Sequence, residues 1–350
     1  MHILYGIATT GNGHISRSKI IINALKKRGH SIDVILSGRE EKNLFDIDEL
    51  KPYQIKKGFT FSNNKGRISY IKTVLKSNLL EFLNDVKSVK NVYDLVITDF
   101  DPISAYAAKK YNIPCMGIGH QYSFYEDIPM TNKMRFSSMF FPKIYAPVTF
   151  SIPFHFHHFN QPILPPFIDP ILHDRRDKEK IGDDVLVYLP WENLNDMIAI
   201  LEKVSRDFIF YTDVEHIKEI ENITLKPFSN KNFKYDLLRC RCLITNAGFQ
   251  LTSEALFLGK PILCKPQKGQ PEQEHNAKIL DDLGYATVSQ EINAATIKDW
   301  LHSSNNIKID FSNPIDVIVD IIENREKDFS NEINRLCLLY TSPSPRDCRL

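Results

Sequence analysis

His14 closes a short glycine-bearing run, Thr9-Thr10-Gly11-Asn12-Gly13-His14, that follows the apolar stretch His2–Ala8. Glycines between a strand and a helix let the backbone come close to a ligand. An imidazole at a helix start, where the dipole favours its neutral form, suits a general base. A carboxylate able to orient it is Asp99, in Val96-Ile97-Thr98-Asp99-Phe100-Asp101. An aspartate on imidazole holds the tautomer and stabilises the imidazolium that forms. Asp101 competes for that role, and it also fits an N-cap for a helix opening at Pro102. The Asp-x-Asp spacing admits a metal site as a further reading.

A second group lies in the other half. Asn246-Ala247-Gly248 leaves the apolar run Cys242–Thr245, turns, and enters a helical pattern that reaches Glu254. A small-residue turn at a helix start offers bare N–H groups to an anion. Glu254, about two turns in, can accept from adjacent hydroxyls. Together they suit a nucleotide, with the diphosphate at the helix tip and the ribose diol on the acid. Phe228 ends the run Lys226-Pro227-Phe228 and can frame a base, or equally pack in a core. Gln270, Glu272 and Gln273 open a helix after Pro261–Cys264. An acid beside an amide matches the vicinal hydroxyls of a sugar, while first-turn capping accounts for the same residues. His155-Phe156-His157-His158 is compressed and lacks a carboxylate partner, so no metal ligand set is assigned.

The elements that must position these residues alternate. Strands are expected at His2–Ala8, Ser31–Leu36, Tyr93–Thr98 and Pro114–Ile118, with a first helix from Gly13 to Arg28 stopped by Gly29. Ile68, Ile71, Leu75, Leu79, Phe82 and Val86 form one apolar stripe, predicting a helix within 67–90. The run from Phe140 to Pro170 is rich in Pro, Phe and His, and Pro165-Pro166 is the expected boundary. Strands then recur at Val185–Leu189, Phe208–Tyr211, Cys242–Thr245, Pro261–Cys264 and Tyr285–Val288. The fold class is α/β: two doubly wound parallel sheets, Rossmann-like, facing a cleft. The expected domains are 1–165 and 166–336. The segment 337–350 breaks the helical pattern with Ser-Pro-Ser-Pro and is expected to be non-native or disordered.

Composition sets bounds. The 350 residues carry a net charge of +1, 43% hydrophobic and 25% charged residues, which suits a globular protein and gives no global reason for nucleic-acid binding. No apolar run is long enough to span a membrane. The N-terminus lacks a signal-peptide pattern, and none of the six cysteines forms a CxxC pair. A cytoplasmic protein is expected. Between Lys51 and Lys90 nine Lys/Arg face two Asp/Glu, so this region is a candidate for peripheral contact with the inner membrane face, against the plainer reading of a solvated helix face.

The four segments together resemble the two-domain nucleotide-sugar glycosyltransferases of the GT-B fold, and most of all the branch of the peptidoglycan lipid-intermediate GlcNAc transferase and its bacterial and archaeal relatives. Ala247-Gly248 to Ser253-Glu254, Gly259-x-Pro261 and Glu272-Gln273-x-x-Asn276-Ala277 follow that order and spacing. The resemblance implies an inverting, metal-independent hexosyl transfer from a nucleoside-diphosphate sugar, UDP-linked, to an acceptor hydroxyl on an unidentified sugar, lipid-linked or small-molecule acceptor. It implies no cofactor. His14 and Asp99 would be the base and its partner. Gly11, Asn12, Gly13, Phe228, Asn246, Ala247, Gly248, Glu254, Gln270, Glu272 and Gln273 would hold the donor. First-domain loops 63–68 and 122–135 would meet the acceptor. The family's final helix, which crosses back onto the first domain, is expected to be lost. Two other readings share the motifs: a UDP-sugar 2-epimerase, disfavoured because Ser253 precedes a single Glu254, and a non-catalytic nucleotide-sugar-binding protein.

Overall fold

The computed structural model describes residues 1–44, 46–57, 63–64, 67–68, 79–130, 142–325, 327, 329, 331–333 and 335–336. Their contacts divide into two compact units. One holds Met1–Asn64, Ile68–Phe167 and the described residues from Ser312 on, and the other holds Arg67 and Ile168–Phe311. The tail 337–350 and much of the basic region within 51–90 lie outside the described residues.

The first unit opens with β1 (His2–Ala8), α1 (Asn12–Lys27), β2 (Ser31–Ser37) and β3 (Tyr53–Lys56). Two short strands, β4 (Asn63–Asn64) and β5 (Arg67–Ile68), pair with each other. Then come α2 (Leu79–Ser88), β6 (Leu95–Asp99), α3 (Pro102–Tyr111), β7 (Cys115–Gly119) and β8 (Phe150–Pro153). The six-stranded sheet runs β3-β2-β1-β6-β7-β8, with every pairing parallel. β1 is covered on both faces, which explains its unbroken apolar run of Ile3, Leu4, Tyr5 and Ile7. The chain winds outward from β1 to β3 and returns on the other side at β6. The switch point therefore falls between β1 and β6, where ligands of such sheets bind. Ile7 pairs with Asp99 there, so the residues following each strand come together.

α1 buries Ile15, Ile21, Ile22 and Leu25, and Gly29, at φ +83°, supplies the left-handed stop. The expected stripe in α2 is only partly realised. Phe82 and Val86 are buried, but Leu79, the first residue of the described helix, is 62% exposed. Ile71 and Leu75 lie outside the described residues. Of the loop 122–135 expected to meet an acceptor, residues 131–135 lie outside the described ones, and His120–Tyr125 is a short 3-10 helix with Tyr122, Ser123 and Phe124 buried.

The second unit contains α4 (Pro170–Arg175), β9 (Val185–Tyr188), α5 (Leu194–Leu201), β10 (Phe208–Thr212), β11 (Lys218–Ile220), β12 (Ile223–Pro227), α6 (Asn230–Arg239) and β13 (Cys242–Thr245). It continues with α7 (Phe249–Leu258), β14 (Ile262–Cys264), α8 (Pro271–Asp282), β15 (Thr287–Val288) and α9 (Ala294–Ser303). Its sheet order is β11-β12-β10-β9-β13-β14-β15. The pairings are parallel except for β11, which runs antiparallel to β12 at the edge. The switch point lies between β9 and β13, at the Asn246–Gly248 turn. Cys115, Cys240, Cys242 and Cys264 are buried free thiols.

The last described helix corrects the sequence expectation. α10 (Ile315–Glu323) is present and packs against α1, within the first unit. Arg28 pairs with Asp320 and Glu323, each at 3.1 Å, and His30 Nε2 lies 2.8 Å from Glu323. The two Arg28 pairs are about half-exposed and contribute little. The seam is held by Ile318, Val319 and Ile322, which are fully or nearly fully buried. Ile318→Ala should cost about 3 kcal/mol and Arg28→Ala only about 0.5 kcal/mol, read from denaturation midpoints. Equal losses would shift the weight from apolar packing to the ion pairs.

Candidate active site

In the first unit, α1 starts at the end of β1. Gly11 is its N-cap, in extended backbone with φ −136° and ψ 145°, and no side chain caps the helix. The expected glycine turn is thus not left-handed at Gly11 or Gly13. That conformation occurs across the way at Gly38, φ +115°, where a Cβ would stand 3.3 Å from Thr10 Cγ2. Asn12 Oδ1 accepts from Arg39 Nη1 at 3.0 Å.

As the third residue of the helix, His14 turns its ring to the end of β6. Its Nδ1 lies 2.7 Å from Asp99 Oδ1. The structure therefore brings together the expected base and its partner, 85 residues apart in the chain. It also adds residues that the sequence reading did not single out. Arg17 donates from Nε to Asp99 Oδ2 at 2.7 Å and from Nη2 to Oδ1 at 2.6 Å, and Ser18 Oγ donates to Oδ2 at 3.0 Å. Arg17 carried a signal, since three residues after His14 it shares the same helix face. Burial alone would raise the Asp99 carboxyl. Arg17 and His14 beside it outweigh that and hold it below the usual range. His14 keeps 12% of its side chain exposed, while Asp99 is fully enclosed.

Asp101 has a different role. It is the N-cap of α3, accepting from Ser104 N at 2.8 Å and from the Ser37 hydroxyl. Burial pushes its carboxyl above the usual range. The two carboxylates of the Asp-x-Asp run thus face separate sets of partners. Asp101→Ala should lower stability by about 2 kcal/mol, measured by denaturant unfolding, and a variant as stable as wild type would remove the cap from the structural account. Among the described residues no group of three or more His, Cys, Asp or Glu side chains is arranged to hold a metal ion. His155, His157 and His158 accept at Nδ1 from backbone N–H groups two residues on.

In the second unit, Gly248 is the N-cap of α7 and no side chain caps it. Its φ is −75°, and a Cβ placed there would meet nothing within 4 Å. What the glycine provides is open space before the helix tip rather than a special turn. Asn276 Nδ2 donates to Ala247 O at 3.0 Å, which ties α8 to this turn. Asn246 Nδ2 donates to Lys265 O at 2.9 Å, and its Oδ1 is buried without a hydrogen-bond partner. That is unmet acceptor capacity beside the helix tip.

Glu254 differs from the open ribose acid expected. It is 1% exposed, and both oxygens are engaged, Oε2 by Lys234 Nζ and Oε1 by Gln250 Nε2 at 2.9 Å. The reason is its place on the inner side of α7, facing α6. Burial pushes its carboxyl up, with Lys234 and Gln250 opposing. Gln270 and Gln273 also turn inward: Gln270 caps α8 by accepting from Gln273 N, and Gln273 Oε1 accepts from Gln267 N at 2.8 Å. Glu272 is half-buried in the first turn of α8. Phe228 is half-buried and meets Tyr188 edge-on at 6.1 Å, and Tyr188 meets Phe233 at 5.4 Å. Tyr188, at the end of β9, is a second aromatic at the switch point that the sequence reading passed over.

The family model of glycosyl transferase family 1 matches residues 1–304. The chain belongs to this family. A curated relative described as an uncharacterized glycosyltransferase, from Methanosarcina mazei, is 27% identical over 127 residues, 35% of this chain and 28% of that protein. Another, from Methanosarcina acetivorans, is 33% identical over 101 residues, 26% of this chain and 25% of that protein. The match thus spans about a quarter of these relatives' length. Among solved structures, the family 1 chain is similar to the Streptomyces sp. SF2575 glycosyltransferase SsfS6 complexed with thymidine diphosphate. The TM-score is 0.57 at 13% identity, covering 99% of this chain and 98% of that one. It is also similar to Arabidopsis thaliana UGT89C1 complexed with UDP, with a TM-score of 0.52 at 14% identity, covering 97% and 93%. At these identities the likeness is one of fold.

Proposed function

We propose that this chain transfers a hexosyl group from a nucleoside-diphosphate sugar to an acceptor hydroxyl, with inversion and without a metal ion. The observation that carries the reading is the His14–Asp99 contact of 2.7 Å at the switch point of the first sheet, in a member of a glycosyl transferase family. His14 takes the proton of the acceptor hydroxyl as the oxygen attacks the anomeric carbon. The bond from that carbon to the diphosphate breaks in the same displacement, so the configuration inverts. The uncapped N-terminus of α7 at Gly248 receives the charge that develops on the departing diphosphate. Tyr188 and Phe228 border the base. Asn246, through its unpartnered Oδ1, is a further donor contact.

Binding of thymidine diphosphate and UDP by the two similar structures supports a nucleoside diphosphate as the donor's carrier. The motif order from Ala247 to Ala277, with its resemblance to the lipid-intermediate GlcNAc transferase branch, favours UDP. A thermal-shift panel tests this, since a ligand of the native state raises the midpoint. UDP and UDP-sugars should raise it more than thymidine diphosphate does, and proton NMR of the product should show an inverted anomeric centre. Retention of configuration would overturn the single displacement.

A further inference from the structure

Asp99 has two charged or ring partners. His14 meets Oδ1, and the guanidinium of Arg17 reaches both carboxylate oxygens in a two-point fork at 2.7 and 2.6 Å. The pair is closed off from water, with Arg17 at 4% and Asp99 at 0% side-chain exposure. The end of β7 lies over it: a Cβ on Gly119 would stand 3.4 Å from Asp99 Oδ1 and 3.5 Å from Arg17 Nη2. A planar fork fixes the plane of a carboxylate, which a hydroxyl or an ammonium, donating to one point, does not. With that plane fixed, Oδ1 faces His14 Nδ1 at 2.7 Å.

Arg17 Nη2 also stands 2.8 Å from the same Nδ1. A ring nitrogen has one in-plane position, so it either carries a proton and donates to Asp99 or keeps its lone pair and accepts from Arg17. A lone pair on Nδ1 would face the carboxylate lone pairs at 2.7 Å. A proton on Nδ1 instead gives the anion another donor, and Nη2 keeps its bond to Oδ1. We propose that Arg17 is a positioning residue for the base. By locking the plane of Asp99 it holds the His14 proton on Nδ1 and leaves Nε2 as the bare nitrogen that accepts the substrate's proton. This rests on His14 being the base in the reading above.

The test uses the full chain. Arg17→Lys keeps the charge but gives up the fork. It should lower kcat about 100-fold, with donor KM within about twofold. In Arg17→Met, millimolar guanidinium should restore part of the turnover and ammonium should not. Nitrogen–proton NMR, assigned against His14→Gln, should show wild-type His14 protonated on Nδ1 and a mixture of tautomers in Arg17→Lys. An ion pair that only ties α1 to β6 would move the melting midpoint and leave kcat, rescue and tautomer alone. Wild-type kcat in Arg17→Lys would overturn the assignment while a loss in His14→Ala still stood, and wild-type turnover in His14→Ala would remove the base as well. Should neither Arg17 variant fold, the wild-type spectrum decides, because a proton on Nε2 overturns the proposal.

Discussion

His14→Ala is expected to lower turnover by about 10²–10⁴-fold while leaving the thermal shift produced by UDP unchanged. The first effect follows from the loss of the ring nitrogen that Asp99 and Arg17 contact near the tip of α1. The second follows from the placement of the groups proposed for the donor, since Gly248, Asn246, Phe228 and Tyr188 all belong to the other unit. Truncation should leave the fold intact. The His14 ring is partly exposed, and Asp99 keeps its three contacts from Arg17 and Ser18. Steady-state kinetics with saturating donor separate the outcomes. A fall in kcat with KM for donor unchanged marks a group used in the transition state, whereas a rise in KM alone marks a binding residue.

The second large effect concerns Lys234 and Glu254. The two side chains are 6% and 1% exposed, so removing the lysine leaves a buried carboxylate with Gln250 on one oxygen and the Asp169 charge nearby. Lys234→Met should cost about 3–5 kcal/mol near neutral pH. The double variant Lys234→Met/Glu254→Met should recover most of that loss, because a buried ion pair often exchanges for apolar side chains at little net cost. The pH dependence has a definite sign. Burial raises the folded-state pKa of Glu254 above its ordinary carboxylate value, so the folded state binds its proton more tightly than the unfolded chain does. The stability gained from that proton is fully present below the ordinary carboxylate range and is lost as pH rises through the raised value. Lys234→Met removes an opposing charge and raises that value further. Its deficit should therefore shrink as the pH is lowered from 8 towards 5. A deficit that is constant across this range in urea denaturation would show that the lysine acts through packing alone.

The parallel-sheet framework was legible because each central strand is buried on both faces. His2–Ala8 and Cys242–Thr245 appear with the bounds expected, and the chemistry-bearing residues all follow such strands. The edge strands β3 and β11 were not anticipated. Tyr53–Lys56 and Lys218–Ile220 carry polar and charged residues, since an edge needs few apolar contacts and gains from charge. The helix Ile315–Glu323 was legible as a helix in none of the expected elements. Its attachment to α1 depends on a contact across roughly the whole chain, for which local periodicity holds no signal. The same limit explains the site. His14 and Asp99 could be paired from their places after two buried strands. Gln250 stands four residues before Glu254 on the same helix face, but Lys234 could not be placed on that acid, because nothing local to it says that the acid points inward. Gln270 and Gln273 show the complementary case, where a motif read as sugar contacts is occupied with capping its own helix and loop.

The most direct test of the central claim is the release of nucleoside diphosphate from a UDP-sugar, with acceptor supplied, by wild type and His14→Ala in excess EDTA. Wild type should turn over at the same rate with and without the chelator, and His14→Ala should bind UDP yet release almost none. Abolition of wild-type turnover by EDTA, or wild-type rates in His14→Ala, would contradict a metal-independent transfer driven by the His14–Asp99 pair.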